Sequence, residues 1–383
     1  MWSMIVIAAL ILTIGGLFYL WLKFQKFGLI RRIAGDKVWL RRLLGAVVLV
    51  LFGIGCLINP INAIIVLLHL MVFWMVADLI ALIVRRILRR VRKNKEEATA
   101  EEKTETKERA YRPYWLGIGV LLFSVVYLCI GWYLANHIWV TTYDLSTDKD
   151  LGQKTLKIAF FGDSHIGTTF DGEGFAKEMK RIQEEHPDLV MVVGDYVDDS
   201  TTKADMIRSC QALGELETTY GVYYVSGNHD RGYFNHRNFS YEEMVAELEK
   251  NNVHVMMDDV ELVADSFYII GRKDMSMRDR LDMEELTKSL DPDKYKIVLD
   301  HQPRDYTAQA ASGVDLVLSG HTHGGQLIPI NNVGVWLGVN DKTYGLETRG
   351  NTDFIVTSGI SDWAIWFKTG AKSEYVVVNI TGK

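Results

Sequence analysis

The sequence predicts two different parts, a group of membrane-spanning α-helices followed by an α/β domain. Long apolar stretches fill much of the first 140 residues, and short β-rich runs alternate with helical windows after residue 155. Charge divides the same way. Residues 1–112 carry 18 Lys and Arg against 8 Asp and Glu, which leaves 24 against 40 for the remainder. A basic, apolar half joined to an acidic, polar half indicates a membrane region over 1–150 and a globular domain over 151–383.

Four apolar stretches, at 2–22, 43–58, 61–84 and 114–140, approach the ~20 residues that a helix needs to cross a bilayer. The second is the shortest, and only Asn59-Pro60 separates it from the third, so we expect these two to form a tight hairpin. The alternative is that one of the pair is a buried core helix. The first stretch has no basic n-region and is too long for a cleavable signal peptide.

Basic residues concentrate in two of the connecting segments. Segment 23–42 holds seven Lys and Arg and segment 85–112 holds eleven, whereas the hairpin tip at 59–62 holds none. Because basic loops stay in the cytoplasm, both segments are predicted to be cytoplasmic loops. The fourth span then carries the later domain across, which predicts a multi-pass cell-membrane protein with an extracytoplasmic domain. With three spans that placement reverses.

The C-terminal part of the sequence alternates between strand and helix patterns. Helical windows follow each of the first three predicted strands, and the later strands mostly follow one another. This order predicts a layered α/β domain with one mixed sheet or two packed sheets. The predicted strands are 156–161, 188–194, 221–226, 253–257, 261–270, 296–299, 315–318, 353–357 and 374–380.

Polar residues of metal-binding type directly follow five of these strands. They are Asp163 and His165, Asp195, Asn228 with His229 and Asp230, His301, and His321 with His323. Ligands of α/β sheets collect outside the carboxyl ends of strands, so we expect these side chains to meet at one edge. Oxygen and imidazole donors without a thiolate suit Mn²⁺, Fe or Zn²⁺ better than Ca²⁺, and we favour manganese. Two carboxylates, one amide oxygen and four imidazoles from this set make seven ligands. That number is too large for one ion and fits two divalent ions bridged by a carboxylate.

These motifs resemble those of the calcineurin-like metallophosphoesterase superfamily, in its bacterial membrane-anchored branch, over residues 155–330. Asp-x-His, Gly-Asp-x-x-Asp, Gly-Asn-His-Asp, His-x-Pro and Gly-His-x-His occur complete and in the family's order. The resemblance implies a four-layer α/β/β/α sandwich and a site with two metals. The implied ligands are Asp163, His165 and His323 for the first metal and Asn228, His301 and His321 for the second, with Asp195 as the bridge.

The resemblance also assigns two catalytic residues. His229 would lie nearest the leaving group, and Asp230 would orient its ring. The segment 357–363 departs from the pattern expected after the last motif, so no substrate contact is transferred to it. The aromatic residues Trp363, Trp366 and Phe367 in and beyond this segment fit either a lipid-binding rim or the packing of a late hairpin.

The residues predict a hydrolase of phosphoric esters. Two metal ions would activate a bridging water, and the resulting hydroxide would attack phosphorus in line. Tethering to the lipid bilayer favours a lipid- or envelope-linked phosphodiester or pyrophosphate as substrate. A UDP-2,3-diacylglucosamine-type pyrophosphatase is the enzymatic alternative, although that substrate is cytoplasmic. A metal-free scaffold is the other, and it would require lost ligands. The acidic domain argues against nucleic acid, and no oligomeric state is predicted.

Overall fold

The computed structural model of the protein describes residues 2–96, 113–234 and 236–382. The chain divides into two compact units, Met1–Ile130 and Gly131–Lys383. The basic segment predicted at 85–112 is described only as far as Glu96. Our interpretation of its remainder as a cytoplasmic loop lies outside the described residues.

The N-terminal part of the described chain is helical. Its helices are α1 Trp2–Phe24, α2 Gly28–Ala34, α3 Val38–Gly45, α4 Val47–Ile58, α5 Pro60–Glu96 and α6 Trp115–Asn136. Helix α4 ends where Asn59 becomes extended, with φ −155° and ψ 107°, since a proline disfavours helical backbone in the residue before it. Pro60 suits the first position of α5 because the N–H there has no helical partner. The Asn59 side chain accepts a hydrogen bond from the Asn62 N–H at 3.0 Å, which caps α5.

Three segments in the described part of the chain are helical, long and apolar enough to cross a membrane. They are Val38–Ile58, Pro60–Val91 and Trp115–Asn136. The stretch predicted at 43–58 is therefore longer than expected, since it includes α3. Within α1, Ala9–Phe24 is a shorter apolar helix. The number of spans, four or three, stays a prediction, as does the topology that depends on it.

The second unit contains two six-stranded sheets. The strands are β1 Trp139–Ser146, β2 Thr155–Phe161, β3 Leu189–Val193, β4 Val222–Val225, β5 Val253–Met256, β6 Asp259–Val263, β7 Phe267–Gly271, β8 Tyr295–Leu299, β9 Leu316–Ser319, β10 Gly345–Arg349, β11 Thr352–Val356 and β12 Glu374–Thr381. The first sheet has the order β1-β12-β2-β3-β4-β5 and the second β10-β11-β9-β8-β7-β6. Strands β2 to β5 are parallel and β12 is antiparallel to β2. Strands β7, β8, β9 and β11 are parallel, flanked by antiparallel β6 and β10. Both sheets are mixed, which confirms the predicted α/β class.

Six α-helices are described in this unit, and three of them begin at residues whose side chains cap the helix. They are α7 Gly172–Glu184, α8 Lys203–Gly214, α9 Tyr241–Lys250, α10 Met283–Thr287, α11 Tyr306–Ala311 and α12 Val333–Trp336. The side chains of Asp171, Thr202 and Ser240 cap α7, α8 and α9 by accepting backbone N–H bonds. Such caps satisfy amides that have no partner inside the helix.

Buried side chains form separate clusters on the two faces of the sheets. One cluster combines side chains of both sheets, among them Ile158 of β2 and Ile297 of β8. A second joins the opposite face of the first sheet, including Val190, to side chains of α7, α8 and α9. A third joins Val298 of the second sheet to Met283 of α10 and to α11. Each sheet therefore buries both faces, which explains its nearly continuous apolar strands.

Two features of the sheets differ from the prediction. Residues 261–270 were expected to form one strand, but they belong to the hairpin of β6 and β7. Ala264 and Asp265 both have positive φ, 50° and 53°, and the Ser266 N–H donates to the Val263 carbonyl at 2.9 Å. A two-residue hairpin turn of this kind normally has Asn-Gly or Asp-Gly at these positions. Ala264-Asp265 does not match that pattern, so there was little sign of a turn in the sequence. Strand β1 was missed because its first two residues, Trp139 and Val140, were assigned to the apolar stretch predicted at 114–140.

Candidate metal centre

Loops from both sheets meet at the carboxyl ends of their parallel strands. The loops after β2, β3 and β4 come from the first sheet, and those after β8 and β9 from the second. The His321 N–H donates to both carboxylate oxygens of Asp163, at 2.9 and 3.0 Å. The His301 ring nitrogen Nδ1 lies 2.8 Å from the Val193 carbonyl oxygen. These contacts join the two sheets at the edge where the polar residues were predicted.

Asp163, His165 and His323 form the first group of possible ligands. One donor atom from each lies within 4.8 Å of the others, and all three residues are buried. The His165 and His323 rings stack with centroids 5.2 Å apart. Among the described residues, none accepts from or donates to the buried Nε2 of His165 within hydrogen-bond distance. Buried polar atoms without a partner are costly, so this histidine fits a metal-binding position better than a structural one.

Asp195, His301 and His321 form the second group, again with donor atoms within 4.8 Å of one another. Since a carbonyl oxygen only accepts, His301 Nδ1 carries the proton in its contact with Val193. In the neutral ring, the second nitrogen Nε2 is the unprotonated one, and it faces Asp195 Oδ2 and Asn228 Oδ1, each at 3.2 Å. The Asn228 amide nitrogen donates to the Tyr233 hydroxyl at 2.7 Å, which turns Oδ1 towards His301.

Three hydrogen-bond acceptors thus converge in the second group, and a proton or a cation has to lie between them. Burial lowers the pKa of His301 and Asp195 raises it, and the carboxylate prevails, so this pKa lies well above its ordinary value. Burial and the positive charge of His301 lower the pKa of His321 to about 4. His321 is therefore neutral near pH 7 and offers a lone pair. This donor set fits a divalent ion.

Asp195 lies between the two groups. Its Oδ2 is 3.2 Å from His301 Nε2 and 3.8 Å from His165 Nε2, while its Oδ1 accepts the His229 N–H at 2.8 Å. The geometry therefore suits a carboxylate shared by two ions. The structure brings the seven predicted ligands to one edge, with Asp163, His165 and His323 in one group, Asp195, His301 and His321 in another, and Asn228 beside His301. Metal binding by them stays a prediction.

The backbone at the centre is held in an unusual conformation. Five of the seven predicted ligands have positive φ, a value uncommon outside glycine. They are Asp163 at 55°, His165 at 38°, Asp195 at 50°, His321 at 72° and His323 at 48°. Such residues cost about 1–3 kcal/mol each and cluster at functional sites, where the surrounding structure holds them.

Two glycines allow the loops to approach closely enough. A Cβ on Gly227 would lie 2.1 Å from Asp195 Oδ1, and one on Gly194, which has φ +82°, would lie 2.5 Å from His301 Nδ1. No side chain fits at either position. Glycine before Asp195 and before Asn228 is therefore a requirement of the site itself.

His229, the residue predicted to lie nearest the leaving group, lies beside Asp198 and His165. Its Nδ1 lies 3.1 Å from Asp198 Oδ1, and Asp198 Oδ2 lies 3.2 Å from His165 Nδ1. Burial raises the pKa of Asp198, but the two imidazoles lower it further and hold it well below its usual range. Burial lowers the pKa of His229, and the hydrogen bond to Asp198 raises it above its ordinary value. The pair therefore favours the protonated form of His229 and the ionised form of Asp198.

The expectation that Asp230 orients the His229 ring is wrong. The Asp230 carboxylate accepts the N–H groups of Tyr196, Val197 and Gly227 at 2.7, 3.0 and 2.7 Å. These bonds point it at the backbone, away from the ring. Burial and the nearby Asp195 raise the pKa of Asp230 to about 6. Asp230 holds the loops after β3 and β4 together, and Asp198 is the ring's partner.

Asp198 is the second aspartate of the Gly-Asp-x-x-Asp motif, and it was assigned no role in the sequence analysis above. Asp362 was not predicted at all. Its Oδ1 lies 3.7 Å from His323 Nδ1 and accepts from Gln326 Nε2 at 3.0 Å. It reaches the centre from a late loop, where no strand end or paired motif marks it.

Comparison with known proteins places the site in a family. The sequence profile of the calcineurin-like phosphoesterases matches residues 156–325. An uncharacterized metallophosphoesterase of Campylobacter jejuni is 31% identical over 236 residues, 60% of this chain and 60% of that protein. A metallophosphoesterase of Aquifex aeolicus, also uncharacterized, is 31% identical over 252 residues, 64% of this chain and 92% of that protein.

A cattle (Bos taurus) protein described as a transmembrane protein with metallophosphoesterase domain is 28% identical over 285 residues, 70% of this chain and 62% of that protein. The match to the first relatives thus spans about three fifths of their length. Together with the three long apolar helices, the cattle relative indicates a membrane protein. The matched range, residues 156–325, includes all seven candidate ligands together with His229 and Asp198. The chain belongs to the calcineurin-like phosphoesterase family.

Proposed function

We propose that this protein hydrolyses phosphoric esters at a centre of two divalent metal ions, with manganese favoured. The supporting observation is the position of Asp195, whose carboxylate lies 3.8 Å from His165 and 3.2 Å from His301, between two groups of buried donors. Asp163, His165 and His323 would hold one ion, and Asn228, His301 and His321 the other. When bound, such ions polarise a phosphoryl oxygen and acidify a water.

The residues beside the centre have separate tasks in this proposal. His229 holds a proton on the side of the leaving group, because Asp198 keeps its pKa above the ordinary value. Asp198 accepts from Nδ1, which leaves the Nε2 proton free to reach the leaving oxygen. Asn228 keeps its oxygen turned to the centre through its bond to Tyr233. Asp230 secures the loops on which these residues lie.

For the substrate we propose a lipid- or envelope-linked phosphodiester or pyrophosphate. The membrane helices support this class, because they keep the chain at a surface rich in such esters. A UDP-2,3-diacylglucosamine-type pyrophosphatase remains the second candidate. We further propose four spans, cytoplasmic basic loops at 23–42 and 85–112, and an extracytoplasmic domain over 151–383. A reporter fused to the C-terminus tests this topology, and cytoplasmic reporter activity would contradict it.

For the domain we propose the four-layer α/β/β/α order. The three buried clusters support it, because one combines both sheets and the others join each sheet to helices.

Hydrolysis of bis(p-nitrophenyl) phosphate by the full chain tests the proposed activity. Chelation should abolish it, and added Mn²⁺ should restore it. We expect His229→Ala to keep its metal and lose most turnover, and Asp195→Ala to lose the metal. The control is His254→Ala, because His254 lies on β5 beside Glu261 at 3.1 Å. Near-normal activity in both site variants would contradict the proposal.

A further inference from the structure

A groove of about 390 Å³ lies within the second unit, between the last turn of α6 and two loops of the domain. Trp132 comes from α6, Thr169 from the loop after β2, and Asp362 and Trp366 from the loop after β11. Both tryptophans line the groove and remain 53% and 43% exposed. We call this the Trp132–Trp366 groove.

The groove shares a wall with the candidate metal centre. Asp362 lines the groove, and its Oδ1 lies 3.7 Å from Nδ1 of the predicted ligand His323. The Asp362 N–H also donates to Thr169 Oγ1 at 3.3 Å, which joins the two loops that border the groove. The next residue, Trp363, places its ring 6.0 Å from the His229 ring. A molecule with its phosphate at the centre has this groove directly beside it.

The groove also lies at the end of a candidate membrane span. Helix α6 has 22 residues, so it is about 33 Å long at ~1.5 Å per residue and just exceeds a hydrocarbon core of ~30 Å. Its two ends therefore lie near the two membrane surfaces. Trp132 is in the final turns of this helix, at the depth where tryptophan is enriched in membrane proteins.

Hydrogen bonds fix the end of α6 to the loop that carries Asp362. The Lys368 N–H donates to the Gly131 carbonyl at 3.0 Å, and the Ser373 N–H donates to the Leu134 carbonyl at 2.9 Å. The buried Lys368 ammonium lies 3.4 Å from Asp362 Oδ1. An unbroken series of contacts thus runs from the helix end through Lys368 and Asp362 to the metal centre. These contacts join the groove to the last turns of α6, all within the second unit.

The surface next to this junction is apolar. The Ile328 N–H donates to Thr369 Oγ1 at 3.0 Å, beside the bonds that hold α6. Ile328, Ile330, Trp336 and Leu337 on this segment are 49%, 55%, 68% and 67% exposed. Exposed apolar side chains within one short segment of a globular domain indicate contact with a membrane or a partner. The lipid-linked substrate class proposed above favours the membrane.

From these observations we infer that the Trp132–Trp366 groove binds the apolar chain of an amphiphilic phosphoester while its phosphate occupies the metal centre. The substrate then stays partly in the membrane leaflet where α6 ends. The two tryptophans contact the chain, and the polar groups near Asp362 contact the junction between chain and phosphate. This inference rests on the proposed phosphoesterase activity.

Alkyl p-nitrophenyl phosphates that differ only in chain length test the groove. The full chain in detergent is given the methyl and the octyl diester, which release the same dye. We expect kcat/KM to be at least about tenfold higher for the octyl diester, since one methylene in an apolar pocket changes this constant ~10-fold or more. Trp132→Ala and Trp366→Ala should reduce the octyl-to-methyl ratio to about threefold or less. Trp115→Ala, at the other end of α6, is the matched control and should leave the ratio unchanged.

The outcomes separate the groove from the activity. An octyl-to-methyl ratio of kcat/KM near one in the unaltered protein would overturn the inference about the groove. So would an equal decrease of this ratio in Trp115→Ala. Both results would leave the phosphoesterase proposal intact. If neither diester is hydrolysed, the proposed activity fails. Calorimetry then still decides the groove, because octyl phosphate should bind at least about tenfold more tightly than methyl phosphate, and Trp366→Ala should remove the difference. Equal binding of the two phosphates would overturn the inference.

Discussion

Asp198→Asn removes one negative charge from between two imidazole rings and keeps the size of the side chain. In the native protein, Asp198 lies 3.1 Å from His229 Nδ1 and 3.2 Å from His165 Nδ1. Because its pKa is held well below the usual range, Asp198 is ionised at every pH used for an assay. Changes in the pH profile of the variant therefore report on the histidines.

The size of the effect follows from the environment of His229. Burial lowers the pKa of His229, and the bond to Asp198 more than offsets it. An opposite charge within ~4–6 Å shifts a pKa by about 1–3 units, so the variant should lose a shift of this size. The acid form of His229 is then lost at lower pH. Changes to such supporting residues typically cost about 10- to 100-fold in activity.

The assay is the pH dependence of kcat for bis(p-nitrophenyl) phosphate, measured with Mn²⁺ in excess so that weaker binding at His165 does not contribute. We expect the fall in rate with rising pH to begin about 1–3 pH units lower in Asp198→Asn than in the unaltered protein. Asp199→Asn is the control, since Asp199 accepts only backbone N–H bonds from Tyr233 and Phe234. An unchanged pH profile with near-normal kcat in Asp198→Asn would refute the assignment.

Three further changes test other parts of the site. Asp230→Asn replaces the carboxylate oxygen that accepts the Gly227 N–H with an amide nitrogen, which cannot accept it. We expect a loss of about 1–3 kcal/mol in the free energy of unfolding, measured as a lower Tm. An unchanged Tm would contradict this expectation. Lys368→Met leaves Asp362 buried without its cation and should cost about 3–5 kcal/mol, and a variant as stable as the parent in thermal unfolding would disprove this. Gly227→Ala places a Cβ 2.1 Å from Asp195 Oδ1 and should lose bound metal by elemental analysis, whereas full retention would be incompatible with the geometry.

The sequence predicted the edge where the candidate ligands meet because chemistry and topology coincide there. Asp163, Asp195 and Asn228 each follow an apolar strand of the first sheet, and His301 and His321 each follow one of the second. Ligand-binding residues of α/β domains collect at the carboxyl ends of buried strands, so the convergence of these side chains could be predicted without the structure. The mixed sheets followed from strands that alternate with helices early and succeed one another late.

The roles of the supporting carboxylates could not be predicted in this way. Asp198 and Asp230 both lie close to His229 in the fold, and adjacency in sequence favoured Asp230. The decision depends on the course of the loops after β3 and β4, whose backbone N–H groups donate to the Asp230 carboxylate. Asp362 and Lys368 depend on the late loop that packs on α6. No local pattern encodes that contact.

The ends of the apolar helices were also beyond the sequence pattern. The stretch predicted at 43–58 extends back through Val38, because α3 has an amphipathic pattern with Arg41 and Arg42 that a search for continuous apolar residues rejects. At the other end, the stretch predicted at 114–140 includes Trp139 and Val140, the first two residues of β1. Their pairing with β12 identifies them as part of a strand.

Metal stoichiometry tests the central claim most directly. The full chain, equilibrated with Mn²⁺ and freed of excess, is analysed for metal per polypeptide together with Asp195→Ala. The account predicts two ions per chain in the unaltered protein and a loss of metal from the variant, since Asp195 lies between both donor groups. One ion or none in the unaltered protein, or two ions retained by Asp195→Ala, would contradict a centre of two metals bridged by this carboxylate.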